Sequence, residues 1–307
     1  MYELSIATFW LAIGTSGISA LLFWGHLIGL RLIVRRLATD AGHGPAIASI
    51  ESADLATTPG PLGGLGSLAT WSTAGFLAVS LIARWQAVDH APWSNMYEFT
   101  IAFATGICAF YVFFERLFIG DSNLQAGRML GALALPVVCG MLVVTAAFFP
   151  ADVRPLVPAL QNTDLLAIHV AAMVVAYGAL SVSFAAAVLY LVQGGERNRF
   201  ARLPDAGLLD EIAYRSVILG FPILALGIAL GAYWANNAWG RYWGWDPKET
   251  SALVTWLIYG VYLHMRGLRS WSGTRSAAVL VGGFAAVLFT YFAVNLWISG
   301  LHSYAGV

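Results

Sequence analysis

The chain has 307 residues and no net charge, and it is 59% hydrophobic but only 10% charged. Soluble domains carry about 25% charged residues, and a mean hydropathy of +0.73 excludes an ordinary water-soluble protein of this length. The two cysteines, Cys108 and Cys139, form no Cys-x-x-Cys pair, so the chain itself offers no dithiol chemistry.

The apolar residues fall into eight runs, each close to the ~20 residues that a helix needs to cross a bilayer. Strands of a membrane barrel would instead alternate polar and apolar residues over about 10 positions. We therefore predict an all-α integral membrane protein with about eight transmembrane helices, forming one polytopic domain over residues 1–307. The runs are 4–30, 67–87, 97–119, 129–149, 165–193, 216–234, 250–265 and 276–299, of which the seventh is the weakest.

Basic residues predict the orientation, because Lys and Arg are enriched in cytoplasmic loops. Most of the 16 basic residues follow the odd-numbered runs, which places both termini on the outer, extracytoplasmic face. The long inner connector 31–66 is rich in Gly, Pro, Ala, Ser and Thr, and it is predicted to be a flexible cytoplasmic loop. The inner basic residues are Arg31, Arg35, Arg36, Arg116, Arg128, Arg197, Arg199, Arg202, Arg215, Arg266, Arg269 and Arg275.

The densest chemical signal is the stretch 234–249, which is predicted to be a tryptophan-rich outer loop. An interfacial aromatic belt explains one or two aromatics at a helix end, but not a cluster with glycines between the rings and charges beside them. Such a surface suits a large, planar, apolar ligand with carboxylates, such as heme. The candidate ligand contacts are Trp234, Trp239, Arg241, Trp243, Trp245 and Asp246. Asp246 also fits a helix N-cap followed by Pro247, which is a purely structural role.

Histidines form the second signal. His169 and His302 are predicted at the depth of the tryptophan-rich loop, where two neutral imidazoles could ligate a heme iron from opposite sides. A single histidine at this depth is more often a polar residue that meets water. His264 is expected ~22 Å from Glu249 along its helix, in the inner half of the bilayer, where an ionisable residue is costly and suggests function. His26, at a similar depth, is interpreted as a residue of the inner interface.

Residues 239–249, with the sequence Trp-Gly-Arg-Tyr-Trp-Gly-Trp-Asp-Pro-Lys-Glu, resemble the WWD signature of heme-handling proteins in cytochrome c biogenesis. Nearly the whole chain resembles the CcsA/ResC type of the System II pathway. The resemblance extends to Ser94–Glu98, the helix of His169, Tyr262–His264 and residues 300–304.

The resemblance implies that His169 and His302 ligate heme b beside the WWD loop and that His264 holds heme in transit. It further implies a subunit of a holocytochrome c synthase, in a bacterial cytoplasmic (inner) membrane with its active face outside. The implied partners are a CcsB/ResB-type membrane protein, apocytochrome c with a Cys-x-x-Cys-His motif, and thiol-reducing proteins; no nucleic acid is expected.

Three other functions remain open at this point. A System I protein that delivers heme to a chaperone also carries a tryptophan-rich loop. A heme exporter without synthase activity is a second alternative, although transporters usually show internal repeats and broken helices. A membrane cytochrome with permanent heme is the third, although three histidines do not make two complete bis-histidine sites.

Overall fold

The computed structural model describes residues 1–40, 61–116, 124–153, 156, 158–161, 163–200, 203–267, 273–294 and 297–302. Within these ranges the chain has eight α-helices and no β-strand, which confirms the predicted all-α class. The helices are α1 (Tyr2–Asp40), α2 (Pro61–Val88), α3 (Met96–Phe114), α4 (Leu124–Phe148), α5 (Thr163–Val192), α6 (Ala206–Trp239), α7 (Pro247–Arg266) and α8 (Thr274–Leu288).

Seven of the described helices are long and apolar enough to cross a membrane. The exception is α7, the weakest of the predicted runs. It is nevertheless a continuous helix of 20 residues, packed between α6 and α8. The chain is therefore an integral membrane protein built from a bundle of α-helices, as predicted.

Two helix starts near the tryptophan-rich segment are capped by side chains, and the cap at Asp246 confirms the prediction. Asn95 is the N-cap of α3, and its side chain accepts a hydrogen bond from the Glu98 N–H. Asp246 is the N-cap of α7 in a complete capping box with Glu249, and Pro247 occupies the first helical position. Both caps follow from residue types that satisfy the unpaired N–H groups of a first helical turn.

Two predicted loops are shorter than the sequence suggested. Helix α1 continues to Asp40 and α2 begins at Pro61, so both ends of the predicted loop 31–66 are helical. The remaining residues, 41–60, lie outside the described residues. Helix α6 continues through Trp239, so Trp234 is helical and only residues 240–246 link α6 to α7. Gly240 ends α6 with a φ of 71°, in the left-handed region that glycine adopts without strain.

Helix α5 lies at the centre of the bundle, packed most extensively on α6 and also on α3 and α8. At Gly178 it approaches α3 closely, since a Cβ there would lie 2.6 Å from the carbonyl oxygen of Gly106. Small residues at such crossings let membrane helices pack by backbone contact. The arrangement brings the beginnings of α3, α5 and α7 together with the ends of α6 and α8.

The opposite end of the bundle holds a buried polar cluster. The Nε2 atom of His26 lies 3.1 Å from Oε1 of Gln125 and 3.3 Å from Nη1 of Arg128. His26, on α1, is thus buried against α4. Nearby, Ser67 and Tyr111 donate hydrogen bonds to Oε1 of the buried Glu115. These contacts give several polar side chains inside the apolar bundle a hydrogen-bond partner from a neighbouring helix.

Candidate functional site

A cavity lies where the beginnings of α3, α5 and α7 meet the ends of α6 and α8. The space between its walls is about 970 Å³, a figure that includes the open mouth. His169 and His302 both line it. Its aromatic lining consists of Phe99, Phe103, Tyr177, Trp234, Trp243 and Tyr291. The cavity is therefore an apolar, aromatic space with two imidazoles in its wall.

His169 is held in one orientation by α6. Its Nδ1 atom lies 2.8 Å from the carbonyl oxygen of Gly227. Because a carbonyl only accepts, Nδ1 carries the proton and Nε2 keeps its lone pair. One turn further along α6, a Cβ on Gly231 would lie 2.7 Å from Cε1 of His169, so the imidazole fits only against a residue without a side chain.

His302 is held in the same way by a carboxylate. Its Nδ1 atom lies 2.7 Å from Oδ2 of Asp246, and an ionised carboxylate only accepts, so Nε2 is again the atom with the lone pair. Asp246 also accepts hydrogen bonds from the N–H groups of Lys248 and Leu301, at 3.1 and 2.6 Å. One side chain thus starts α7 and fixes the segment that carries His302.

Burial and hydrogen bonding set the charges of this pair. Burial lowers the pKa of His302, and the hydrogen bond to Asp246 raises it. Burial has the larger effect, so the neutral imidazole is favoured. For Asp246, burial raises the pKa, but the hydrogen bonds from His302, Lys248 and Leu301 outweigh burial and lower it overall. An ionised Asp246 and a neutral His302 are the states that suit metal ligation.

The tryptophans divide into two groups. The Trp234 ring is 1% exposed; it lies parallel to His169 at 6.4 Å and tilted to His302 at 5.8 Å, between ring centroids. Trp239 lies edge-on to both Trp234 and His302, at 4.8 and 5.0 Å. Trp243 lines the cavity. Trp245, by contrast, is 70% exposed and meets only the edge of Trp243 among the described rings.

The structure separates the two basic residues of this region. Arg241, the sequence candidate for pairing with ligand carboxylates, is exposed and folds over Gly244 outside the cavity wall. Lys248 lines the cavity instead, with Nζ 5.4 Å from the centre of the Phe99 ring. Sequence reasoning missed Lys248, although its place in the first turn of α7 follows from the capping motif.

Comparisons with known proteins identify the family of this chain. A family described as cytochrome C assembly protein matches residues 93–302, which include all the helices that line the cavity. The chain belongs to this family.

Relatives of this cytochrome c assembly protein extend the likeness beyond the matched range. The cytochrome c biogenesis protein CcsA of Chlamydomonas reinhardtii is 40% identical over 74% of this chain, which spans 65% of that protein's length. The protein of the same name from Synechococcus elongatus is 36% identical over 74% of this chain and 83% of its own length. That of Porphyra purpurea is 34% identical, with the same shares covered.

In this cytochrome c assembly protein, His264 does not reach the cavity. It lies in the last turn of α7, with its side chain exposed on the bundle surface. Lys248, in the first turn, is 16 residues away, or ~24 Å at 1.5 Å per residue. The structure thus brings His169, His302, Trp234, Trp239, Trp243 and Asp246 together, and leaves His264 at the other end of the bundle.

The residues present fit a heme. Two imidazoles keep Nε2 lone pairs beside one aromatic cavity, and both are oriented by acceptors on Nδ1, as metal-ligating histidines usually are. Trp234 adds a donor, because its buried Nε1–H has no hydrogen-bond partner within the part of the chain that the structure describes. Nothing in the sequence indicates that Gly227 and Gly231 position His169, because this role depends on the contact between α5 and α6.

Proposed function

We propose that this cytochrome c assembly protein binds heme b between His169 and His302 and presents it for covalent attachment to apocytochrome c. The observation that carries the proposal is the matched state of the two histidines. Each has Nδ1 occupied by a fixed acceptor, at 2.8 Å for Gly227 and 2.7 Å for Asp246, and each lines the same cavity. Neutral imidazoles oriented in this way are suitable axial ligands for a heme iron.

In this proposal, the reaction between heme and apocytochrome c is thioether formation. Each thiol of a Cys-x-x-Cys-His segment adds across a heme vinyl group, forming one C–S and one C–H bond and releasing nothing. The cavity offers no cysteine among its described lining residues. The chain's contribution is therefore positioning, in which fixed imidazoles and aromatic walls hold the macrocycle at the mouth of the cavity.

The proposal places the cavity on the extracytoplasmic face of a bacterial cytoplasmic membrane. The excess of Arg beyond the other end of the bundle supports this orientation. A CcsB/ResB-type membrane protein is the proposed partner, together with thiol-reducing proteins that keep the apocytochrome thiols free. The exposed His264 supports a partner contact, because an ionisable side chain on the outer surface of a bundle favours contact with another protein over lipid. In this proposal His264 ligates heme in transit.

The test is heme ligation in the protein purified with its CcsB-type partner. We expect His169→Ala and His302→Ala to lose heme or its bis-histidine absorption spectrum, and added imidazole to restore the spectrum. His264→Ala should lower the heme content, because His264 is the proposed ligand in transit, while the heme that reaches the cavity keeps its bis-histidine spectrum. Wild-type heme content and spectra in all three variants would contradict the assignment.

A second measurement separates synthase work from heme export. Co-expression with an apocytochrome c that carries Cys-x-x-Cys-His should give covalent heme, detected after denaturation, and the His169 and His302 variants should lose it. An exporter or a chaperone-loading protein would bind heme without this product. A stoichiometric heme that never transfers would instead favour a membrane cytochrome.

A further inference from the structure

The charged groups of the cavity wall are few. Among its described lining residues, Lys248 and Glu249 are the only ones of the Lys, Arg, Asp and Glu types. Glu249 is committed to the loop, because its Oε2 accepts hydrogen bonds from the N–H groups of Gly244 and Asp246, at 2.8 and 3.1 Å. Lys248 is the one positively charged residue type among the described lining residues.

Lys248 is placed there by the fold. It follows Pro247 in the first turn of α7, whose start is fixed by the capping box of Asp246 and Glu249. Its ammonium group lies over Phe99, so it is directed across the cavity toward α3 and not outward to solvent. A flexible four-carbon stem lets such an ammonium follow a ligand group over some distance.

We infer that Lys248 binds a free carboxylate of the ligand, so that the cavity selects a planar macrocycle with acidic side chains over its neutral analogues. The inference rests on the proposed function and adds the group that recognises the substrate's propionates. A charge-assisted hydrogen bond in an apolar cavity is about twice as strong as a neutral one. Arg241, exposed beside Gly244, has no such place in the wall.

A competing role for Lys248 lies within the protein itself. Its ammonium is near enough to Asp246 to interact with it electrostatically, and Asp246 orients His302. If this were the only role of Lys248, removing its charge would disturb His302 and weaken the binding of every iron porphyrin to the same degree. Recognition of a carboxylate predicts instead that the effect depends on whether the porphyrin carries free acids.

The experiment compares heme with heme dimethyl ester, in which both propionates are neutral, on the complex of this chain with its CcsB-type partner. We expect wild type to bind heme at least about tenfold more tightly than the ester, as a hydrogen bond to a charged group implies. Lys248→Met should abolish this preference while it keeps the affinity for the ester and the bis-histidine spectrum. Lys248→Arg should keep part of the preference, and Arg241→Met, the matched control, should keep all of it.

The outcomes separate the two proposals. If neither porphyrin ligates to the wild-type histidines, the proposed function itself fails. If wild type binds heme and ester equally, the inference is overturned without any variant. If Lys248→Met weakens the binding of heme and of the ester equally, Lys248 is not the carboxylate-binding group. The same conclusion follows if Arg241→Met removes the preference for heme over the ester.

Discussion

The Nδ1–H of His302 donates to Oδ2 of Asp246 at 2.7 Å, across 56 residues of sequence. Oδ1 of the same carboxylate accepts the N–H of Leu301 at 2.6 Å. Asp246 therefore holds both the imidazole and the backbone that carries it, while also capping α7. Asp246, which the sequence explains as a helix cap, therefore also supports a candidate iron ligand. This is possible because the segment after α8 returns to the start of α7.

Asp246→Asn tests this support. An amide has one acceptor oxygen, so its NH₂ must face one of the N–H donors that the carboxylate now accepts. We expect heme affinity to fall about 10–100-fold, the usual effect of losing a partner of a metal-ligating histidine. Asp205→Asn is the control, since Asp205 caps α6 through Gly207 at the opposite end of the bundle. Equal heme affinity in the two variants would refute the role of Asp246.

Gly231→Ala tests the packing of His169. The added Cβ would lie 2.7 Å from Cε1 of the imidazole, so the ring must move away from its hydrogen bond to Gly227. We expect loss of the bis-histidine spectrum and its partial recovery with imidazole, which can enter where the side chain is displaced. Gly282→Ala on α8 is the control, because no heavy atom lies within 4 Å of a Cβ there. An unchanged spectrum in Gly231→Ala would show that the site tolerates the methyl group.

Trp234 and Trp245 should differ in their importance. Trp234→Leu removes a buried ring that packs against both histidines, whereas Trp245→Leu alters a ring that is 70% exposed. We expect Trp234→Leu to lower both heme affinity and thermal stability. The loss of stability should stay below the ~3–5 kcal/mol of a Trp-to-Ala truncation, because leucine keeps part of the buried apolar contact. Trp245→Leu should change both within about 0.5 kcal/mol. Heme titration and unfolding in detergent measure the two effects; a reversed order would contradict the site geometry.

A buried ion pair next to the site offers a test of stability. Nε of Arg84 lies 2.9 Å from Oε1 of Glu98, and both side chains are at most 2% exposed. Glu98→Gln leaves a buried guanidinium without its counter-charge, which typically costs about 3–5 kcal/mol. Glu211→Gln is the control, because its pair with Arg215 is about half exposed and is worth about 1 kcal/mol or less. Similar unfolding temperatures for the two variants would contradict this difference.

The number and class of the helices were predictable, since membrane spans must satisfy their backbone groups locally and be long and apolar. The caps at Asn95 and Asp246 were also predictable, because they depend on neighbouring residues. The positions of His169 and His302 near helix ends followed from where they lie relative to the apolar runs. These features are local, and a sequence read along its length contains them.

Which side chains face one another required the tertiary structure. No pattern indicated that Gly227 and Gly231 would hold His169, that Asp246 would hold His302, or that Lys248 and not Arg241 would enter the cavity. These contacts depend on how α5 packs on α6 and how α8 returns to α7, over separations of about 55–60 residues. Residue types and their spacing were enough to predict the helices, the cap at Asp246 and the candidate ligands. Only the packing of the helices decided their orientation and their partners, because helix rotation sets where each side chain points.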